Sequence, residues 1–272
     1  MKKSTNLRRH AAARPMLLIL ALLVVGLSYS VVSPPRSSAE TETTLQIEQG
    51  KDIYMTTCSS CHGLGGEGTT QGPGLIGVGA ASVDFQMGTG RMPAARLEAQ
   101  IPARKVNYTQ EQSEAVAAYV HSLGAGAAIP EESQYSLDAL NLSGDEKARA
   151  VARGGALFRA NCSACHGIVG GGGAMPEGKY APTLTDPTPV HIYEAVRTGP
   201  QQMPMVSKDV LTDESVSEII AYLEAADEQP NYGGLTMGDA GPVAEGWWIF
   251  IIGIGGLSIV ALWIARKGAR AR

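Results

Sequence analysis

The 272-residue sequence has only four cysteines, and all of them fall in two five-residue strings, Cys58-Ser59-Ser60-Cys61-His62 and Cys162-Ser163-Ala164-Cys165-His166. No thiol is left elsewhere for a disulfide framework, so the cysteines serve chemistry and not stapling. Acidic residues are missing from the first 36 and the last seven positions, which hold ten of the 22 lysines and arginines. Residues 40–246 therefore carry 12 basic against 26 acidic side chains, a balance of 12 − 26 = −14. A surface that acidic excludes nucleic acid as a partner and favours basic or mixed-charge ones. The length fits two small domains plus anchors better than one large core.

Polar residues are also scarce at the two ends. Trp247–Ala265 is apolar apart from one serine. At about 1.5 Å per residue its span of roughly 28 Å approaches the hydrocarbon thickness of a bilayer, which predicts a transmembrane helix over 247–265. Trp247, Trp248 and Trp263 sit where amphipathic rings prefer the interface, and Arg266, Lys267, Arg270 and Arg272 make 266–272 a basic tail expected in the cytoplasm. Lys2, Lys3, Arg8, Arg9 and Arg14 precede the apolar stretch Met16–Val32, and Ser37-Ser38-Ala39 offers a cleavage site, so residues 1–39 read as an export signal or an N-terminal membrane anchor. Both ends predict that residues 40–246 lie outside a cell membrane.

The two Cys-x-x-Cys-His strings are offset by 104 residues, and their neighbourhoods repeat with them. Gly50 and Gly154 lie eight residues before the first cysteine, and Tyr54 and Phe158 four before it, which puts each pair on one helical face. The glycines predict a close helix crossing. The crossing helices begin at Thr109 and Thr212 as N-caps and carry Tyr119 and Tyr222 at matching positions. Residues 124–144, small and polar without periodicity, read as a linker, and 227–246 as a tether to the anchor. The expected order is 1–39, a first domain at 45–123, the linker, a second domain at 145–226, the tether, the span and the tail.

An exported Cys-x-x-Cys-His string is a c-type haem attachment site: two thiols add to the haem vinyl groups and the histidine binds iron. A thioredoxin-like dithiol does not require the histidine, and a zinc site needs four ligands where each unit offers three. Cys58, Cys61 and His62, and Cys162, Cys165 and His166, are thus expected to bind two covalently attached haems c. The second axial ligand must recur in the duplication. Thr89-Gly90 and Thr198-Gly199 are each followed shortly by Met-Pro, which selects Met92 and Met203 over Met87, Met175 and Met205. The metal ligands are then His62, Met92, His166 and Met203. His121 and His191 have no histidine counterpart in the other repeat and read as ordinary helix residues; Arg91 and Arg197, beside the methionine loops, read as solvated surface arginines in preference to partners of haem propionates. Pro73 and Pro182 supply a rigid turn between each histidine and its methionine, where a backbone carbonyl could fix the histidine ring.

The series of Gly-aromatic helix, CxxCH, Pro-x-Leu turn, Met-Pro loop and closing helix with Tyr resembles the class I cytochrome c fold, twice over. This is an all-α class with two tandem domains, here with an N-terminal apolar segment and a C-terminal transmembrane helix. The whole chain resembles the dihaem cytochrome c subunit, cytochrome cc, of the actinobacterial cytochrome bc1 complex, a menaquinol:cytochrome c reductase. That resemblance implies electron transfer from a Rieske iron–sulfur subunit to an aa3-type cytochrome c oxidase, with a cytochrome b subunit as a further partner. It also implies membership of a proton-translocating oxidoreductase in which this chain is an electron carrier. His/Met ligation leaves no open iron site, which suits outer-sphere transfer and has no catalytic residue of its own. The alternatives are a dihaem subunit of another dehydrogenase or oxidase, and a dihaem peroxidase, which needs one open iron.

Overall fold

The computed structural model describes residues 13–32, 38–98, 100–229 and 242–270. The basic start of the export segment, positions 33–37 and most of the 227–246 tether lie outside the described residues. The chain divides into two units at Leu45. In the first, helix α1 (Ala13–Val32) contains the apolar stretch Pro15–Ser28.

The second unit holds two helical repeats. One consists of α2 (Ser38–Thr57, entering from the first unit), α3 (Ser59–His62), α4 (Ala80–Gly88) and α5 (Gln110–Leu123). The other consists of α6 (Gly144–Asn161), α7 (Ser163–His166), α8 (Pro189–Thr198) and α9 (Asp213–Asp227). The helix starts follow from side-chain chemistry. Thr109 accepts from the Gln112 amide while the Gln112 side chain accepts from the Thr109 amide, and Ser143 and Glu146 form the same reciprocal box on α6. Thr212 accepts from the Ser215 amide at the start of α9. Each cap stabilises its helix by about 1 kcal/mol.

The expected close crossings are present in both repeats. A Cβ on Gly50 would lie 1.8 Å from the Ala115 carbonyl oxygen of α5, and one on Gly154 would lie 1.9 Å from that of Glu218 on α9. No side chain larger than hydrogen fits either place. The close approach brings the Tyr54 and Tyr119 rings to 5.1 Å and those of Phe158 and Tyr222 to 5.7 Å. Tyr54 and Phe158 are completely buried and anchor separate cores, the first with Val83, Met87, Val116 and Val120, the second with Ile192, Val216, Ile219 and Ile220.

The repeats differ in two loops. Eleven positions separate His62 from Pro73, but sixteen separate His166 from Pro182. The extra residues form a small antiparallel ribbon of β1 (Gly173–Ala174) and β2 (Tyr180–Ala181), pairing Gly173 with Ala181 and Ala174 with Tyr180. Conversely, Thr109 follows Met92 by 109 − 92 = 17 positions, and Thr212 follows Met203 by 212 − 203 = 9.

Segment 124–144 is more ordered than its composition suggests. It contains two 3₁₀ turns, Glu132–Gln134 and Asp138–Leu140. Ala127 accepts from the Ala81 amide of the first repeat, while Gln134 Nε2 donates to Tyr193 and Asp213 of the second. Near the C-terminus α10 (Pro242–Ile249), a π-helical turn at Phe250–Ile254 and α11 (Gly255–Arg270) run on continuously. Within them Gly246–Gly268 is long and apolar enough to cross a membrane.

Candidate functional site

Each Cys-x-x-Cys-His string closes one helical turn at the end of a long helix. The Cys58 carbonyl accepts from the His62 amide and the Cys162 carbonyl from the His166 amide, both at 3.0 Å. Both histidine rings are buried. His62 Nδ1 lies 2.8 Å from the Pro73 carbonyl oxygen and His166 Nδ1 lies 3.0 Å from that of Pro182. A carbonyl can only accept, so Nδ1 carries the proton in each ring and Nε2 keeps its lone pair. That is the tautomer and the orientation an iron ligand needs. The two prolines therefore supply the acceptors as well as the turns.

Cys58 and Cys162 pack against the two hydrophobic cores. Burial, reinforced by the second cysteine of each string, pushes both thiols up to about 11. The spacing of the two cysteines on one turn beside the histidine, with the first packed on an apolar core, suits thioether links to the two vinyl groups of a haem. Cys61 is half-buried and Cys165 exposed, and all four are free of disulfides. These features fit two covalently held porphyrins.

Met92 and Met203 are the methionines that lie partly buried against the two cores and come from matching loops. Thr89 Oγ1 donates to the Phe85 carbonyl at 2.5 Å and Thr198 Oγ1 to that of Glu194 at 2.7 Å. Gly90 and Gly199 then turn the chain through the left-handed region at φ 66° and 61°. Of the rivals, Met87 is buried in the first core and Met205 is exposed.

A tyrosine pins the loop behind each histidine, but from different helices. Tyr54 on α2 donates to the Gly63 carbonyl at 2.7 Å, and Tyr222 on α9 donates to that of Ile168 at 3.0 Å. Burial pushes the Tyr54 hydroxyl up to about 12.

Three side chains depart from their sequence reading. Arg197 is not a solvated arginine: its side chain is 9% exposed, donates to Asp213 and to the Val206 carbonyl, and lies over the Tyr193 ring. Arg91 is half-buried, with its guanidinium 4.9 Å from the Phe85 ring centroid. His191 is no ordinary helix residue, because it lies buried between the repeats, its Nε2 3.8 Å from Asp84 Oδ2. No sequence signal marks it, since its partner belongs to the other repeat and the duplication pattern compares equivalent places, not touching ones. His121 is exposed on α5, as a helix-surface residue would be.

Residues 47–124 match the cytochrome c family, and residues 149–223 match the family of cytochrome c oxidase, cbb3-type, subunit III. Beyond these two regions the similarity runs the length of the chain. A cytochrome bc1 complex cytochrome c subunit from Corynebacterium diphtheriae is 39% identical over 267 residues, covering 95% of each chain. Its namesake from Corynebacterium efficiens is 38% identical over 276 residues, covering 98% of this chain and 93% of the relative. That from Mycobacterium tuberculosis is 39% identical over 264 residues, covering 96% and 93%. The chain belongs to the family of cytochrome bc1 complex cytochrome c subunits. As a member of it, with two cytochrome c domains, the chain carries two covalently bound haems c and transfers electrons through them. Its relatives are subunits of an oxidoreductase complex, and its apolar C-terminal helix agrees with a membrane anchor.

Proposed function

We propose that Cys58, Cys61, His62 and Met92 would hold one haem and that Cys162, Cys165, His166 and Met203 would hold the other, the cysteines through thioethers and the histidine and methionine as iron ligands. Each bound haem supplies a one-electron iron couple whose potential is raised by the methionine sulfur and whose coordination is closed. The observation that carries this reading is the repeated tautomer: in both repeats a proline carbonyl fixes Nδ1–H and leaves Nε2 bare. Domain limits of 45–123 and 145–226 follow from the same repeat. Cys58 and Cys162 pack on the apolar cores to which the closing helices α5 and α9 contribute.

In this role the chain makes and breaks no bond of a substrate. It relays electrons within a quinol:cytochrome c reductase, a proton-translocating assembly with cytochrome b and Rieske iron–sulfur subunits, and passes them to an aa3-type oxidase. What supports the bc1 assembly is the name shared by the full-length relatives, and what supports docking to a further electron acceptor is a haem-bearing region with a charge of −14. The haem domains stand outside the cell membrane with the C-terminus in the cytoplasm, which is supported by the basic residues Arg266 and Lys267 after the apolar span. Isolation of the chain from membranes in mild detergent, followed by identification of the companion subunits, tests the assembly. Cytochrome b and Rieske subunits are expected; their absence, with dehydrogenase subunits in their place, would overturn it.

A further inference from the structure

The repeats meet where α4 packs against α8, and this contact buries three groups that none of the electron-transfer chemistry uses. Asp84 comes from α4, and His191 and Glu194 come from α8; all three are at most 8% exposed. One ligand atom from each, a carboxylate oxygen, a ring nitrogen and a carboxylate oxygen, lies within 4.8 Å of the other two. Neither oxygen of Glu194 accepts from a nitrogen or hydroxyl donor among the described residues, although the side chain is completely buried; the polar group it faces is the Asp84 carboxyl. A buried carboxyl group without donors is kept either as the neutral acid against Asp84 or as a carboxylate facing a cation.

The surroundings orient these atoms as they would around a cation. His191 Nδ1 lies 2.9 Å from the Thr188 hydroxyl, which holds the ring with Nε2 turned towards Asp84. Gln110 Nε2 donates to Asp84 Oδ1 at 3.2 Å and leaves Oδ2 as the oxygen that faces His191. Each of these contacts therefore occupies one atom of a ligand pair and frees the other, the usual outer support of a metal site. His191 Nε2 also lies against the last residue of α4, so that a Cβ on Gly88 would meet it at 2.4 Å. A helix C-terminus favours positive charge.

We propose that Asp84, His191 and Glu194 bind one divalent transition-metal ion of the zinc class between the two repeats, with a water molecule as the fourth ligand. Ligand atoms around such an ion stand about 3.4 Å apart at bond lengths of about 2.0–2.2 Å, so shifts on the order of 1 Å close the site. Two carboxylates, a neutral imidazole and a dication sum to zero charge, which reduces the desolvation cost; the further charges facing the cluster are the Arg91 guanidinium near His191 and the Glu114 carboxylate near Asp84. Without the ion, burial and the facing Asp84 push the Glu194 carboxyl up to about 9, and burial raises Asp84 as well. Metal binding then displaces protons from the pair. The ion joins α4 to α8 and fixes one haem domain against the other.

The test uses the full-length, haem-loaded chain in detergent, stripped with dipicolinate and then titrated with zinc chloride. Bound zinc is counted against haem iron by mass spectrometry, and thermal unfolding is followed in parallel. Uptake of about one zinc per two irons is expected, with a higher unfolding midpoint and no comparable effect of magnesium chloride. Glu194→Gln keeps the side-chain volume and is expected to retain both haems while losing at least about nine-tenths of the zinc affinity; Asp84→Asn is expected to do the same. A wild-type chain that takes up no zinc at equimolar micromolar concentration would overturn the proposal. So would zinc binding undiminished in both variants, or a Glu194→Gln chain more stable than wild type whether or not zinc is present, which would identify a carboxyl pair sharing a proton.

Discussion

The two repeats agree where they hold haem and differ where they hold each other. In both, a glycine lets two helices cross, a proline carbonyl fixes the histidine, and a Thr-Gly turn leads to Met-Pro. Beside the packing of the equivalent helices α4 and α8, their differing loops also meet. Gln100, in the long loop after Met92, bonds both backbone groups of Tyr180 in the inserted ribbon of the second repeat. Gln201, beside Met203, bonds both backbone groups of Ile101. Duplication preserved the cofactor chemistry, and the departures from it added side-chain bonds to the joint. Each methionine loop lies close to a contact with the other repeat.

The largest expected effect falls on what the repeats share. Gly50→Ala and Gly154→Ala each drive a methyl group into backbone that cannot yield, so either should cost about 3 kcal/mol or more. Each should disrupt its own repeat while the other keeps its haem, as seen by haem staining of proteolytic fragments. Next, Met92→Ala and Met203→Ala should each lower one haem potential by on the order of 100 mV and leave the other nearly unchanged. Potentiometric titration separates the two, and unchanged potentials would show that the ligands were wrongly chosen.

Acid should separate the repeats. In the second, burial works to raise the Asp213 carboxyl, but hydrogen bonds from Lys208, Tyr193, Gln134 and Arg197 outweigh it and hold the group well below the usual carboxylate range. The matching position in the first repeat is Gln110, which has no charge to lose. A carboxylate depressed in the folded state contributes stability above its unfolded pKa of about 3.9, and that stability disappears as the pH falls below it. Hydrogen exchange at successively lower pH should show the second repeat opening first, and Asp213→Asn should reduce the difference. The smallest effect concerns the pinning tyrosines. Tyr54→Phe should cost about 1–2 kcal/mol because its hydroxyl bond is buried, and Tyr222→Phe about 0.5 kcal/mol because its bond is exposed. Denaturant midpoints would check both.

Much of this was legible in the sequence because it is local or repeated. Gly50 with Tyr54, Gly154 with Phe158, the threonine caps and the CxxCH turns all lie within a few residues of one another. The 104-residue offset then raised each above coincidence. Pro73 and Pro182 could be read as turns, but their role as acceptors required the ring geometry. Contacts between unlike positions were not legible. His191 finds Asp84 across the domain joint, and Gln100 finds Tyr180 eighty positions away, so neither leaves a period or a motif. Arg197 was misread for the same reason, its partner Asp213 lying on a different helix.

The central claim is that each iron is closed by the histidine of its string and the methionine of its loop. Methionine sulfur on ferric haem gives a charge-transfer absorption near the red end of the visible spectrum, and the oxidised chain is the material in which to measure it. The account predicts that Met92→Ala and Met203→Ala each remove about half of that band and that the double variant abolishes it. A band that persists at full strength in both single variants, or is absent from the wild type, would contradict it.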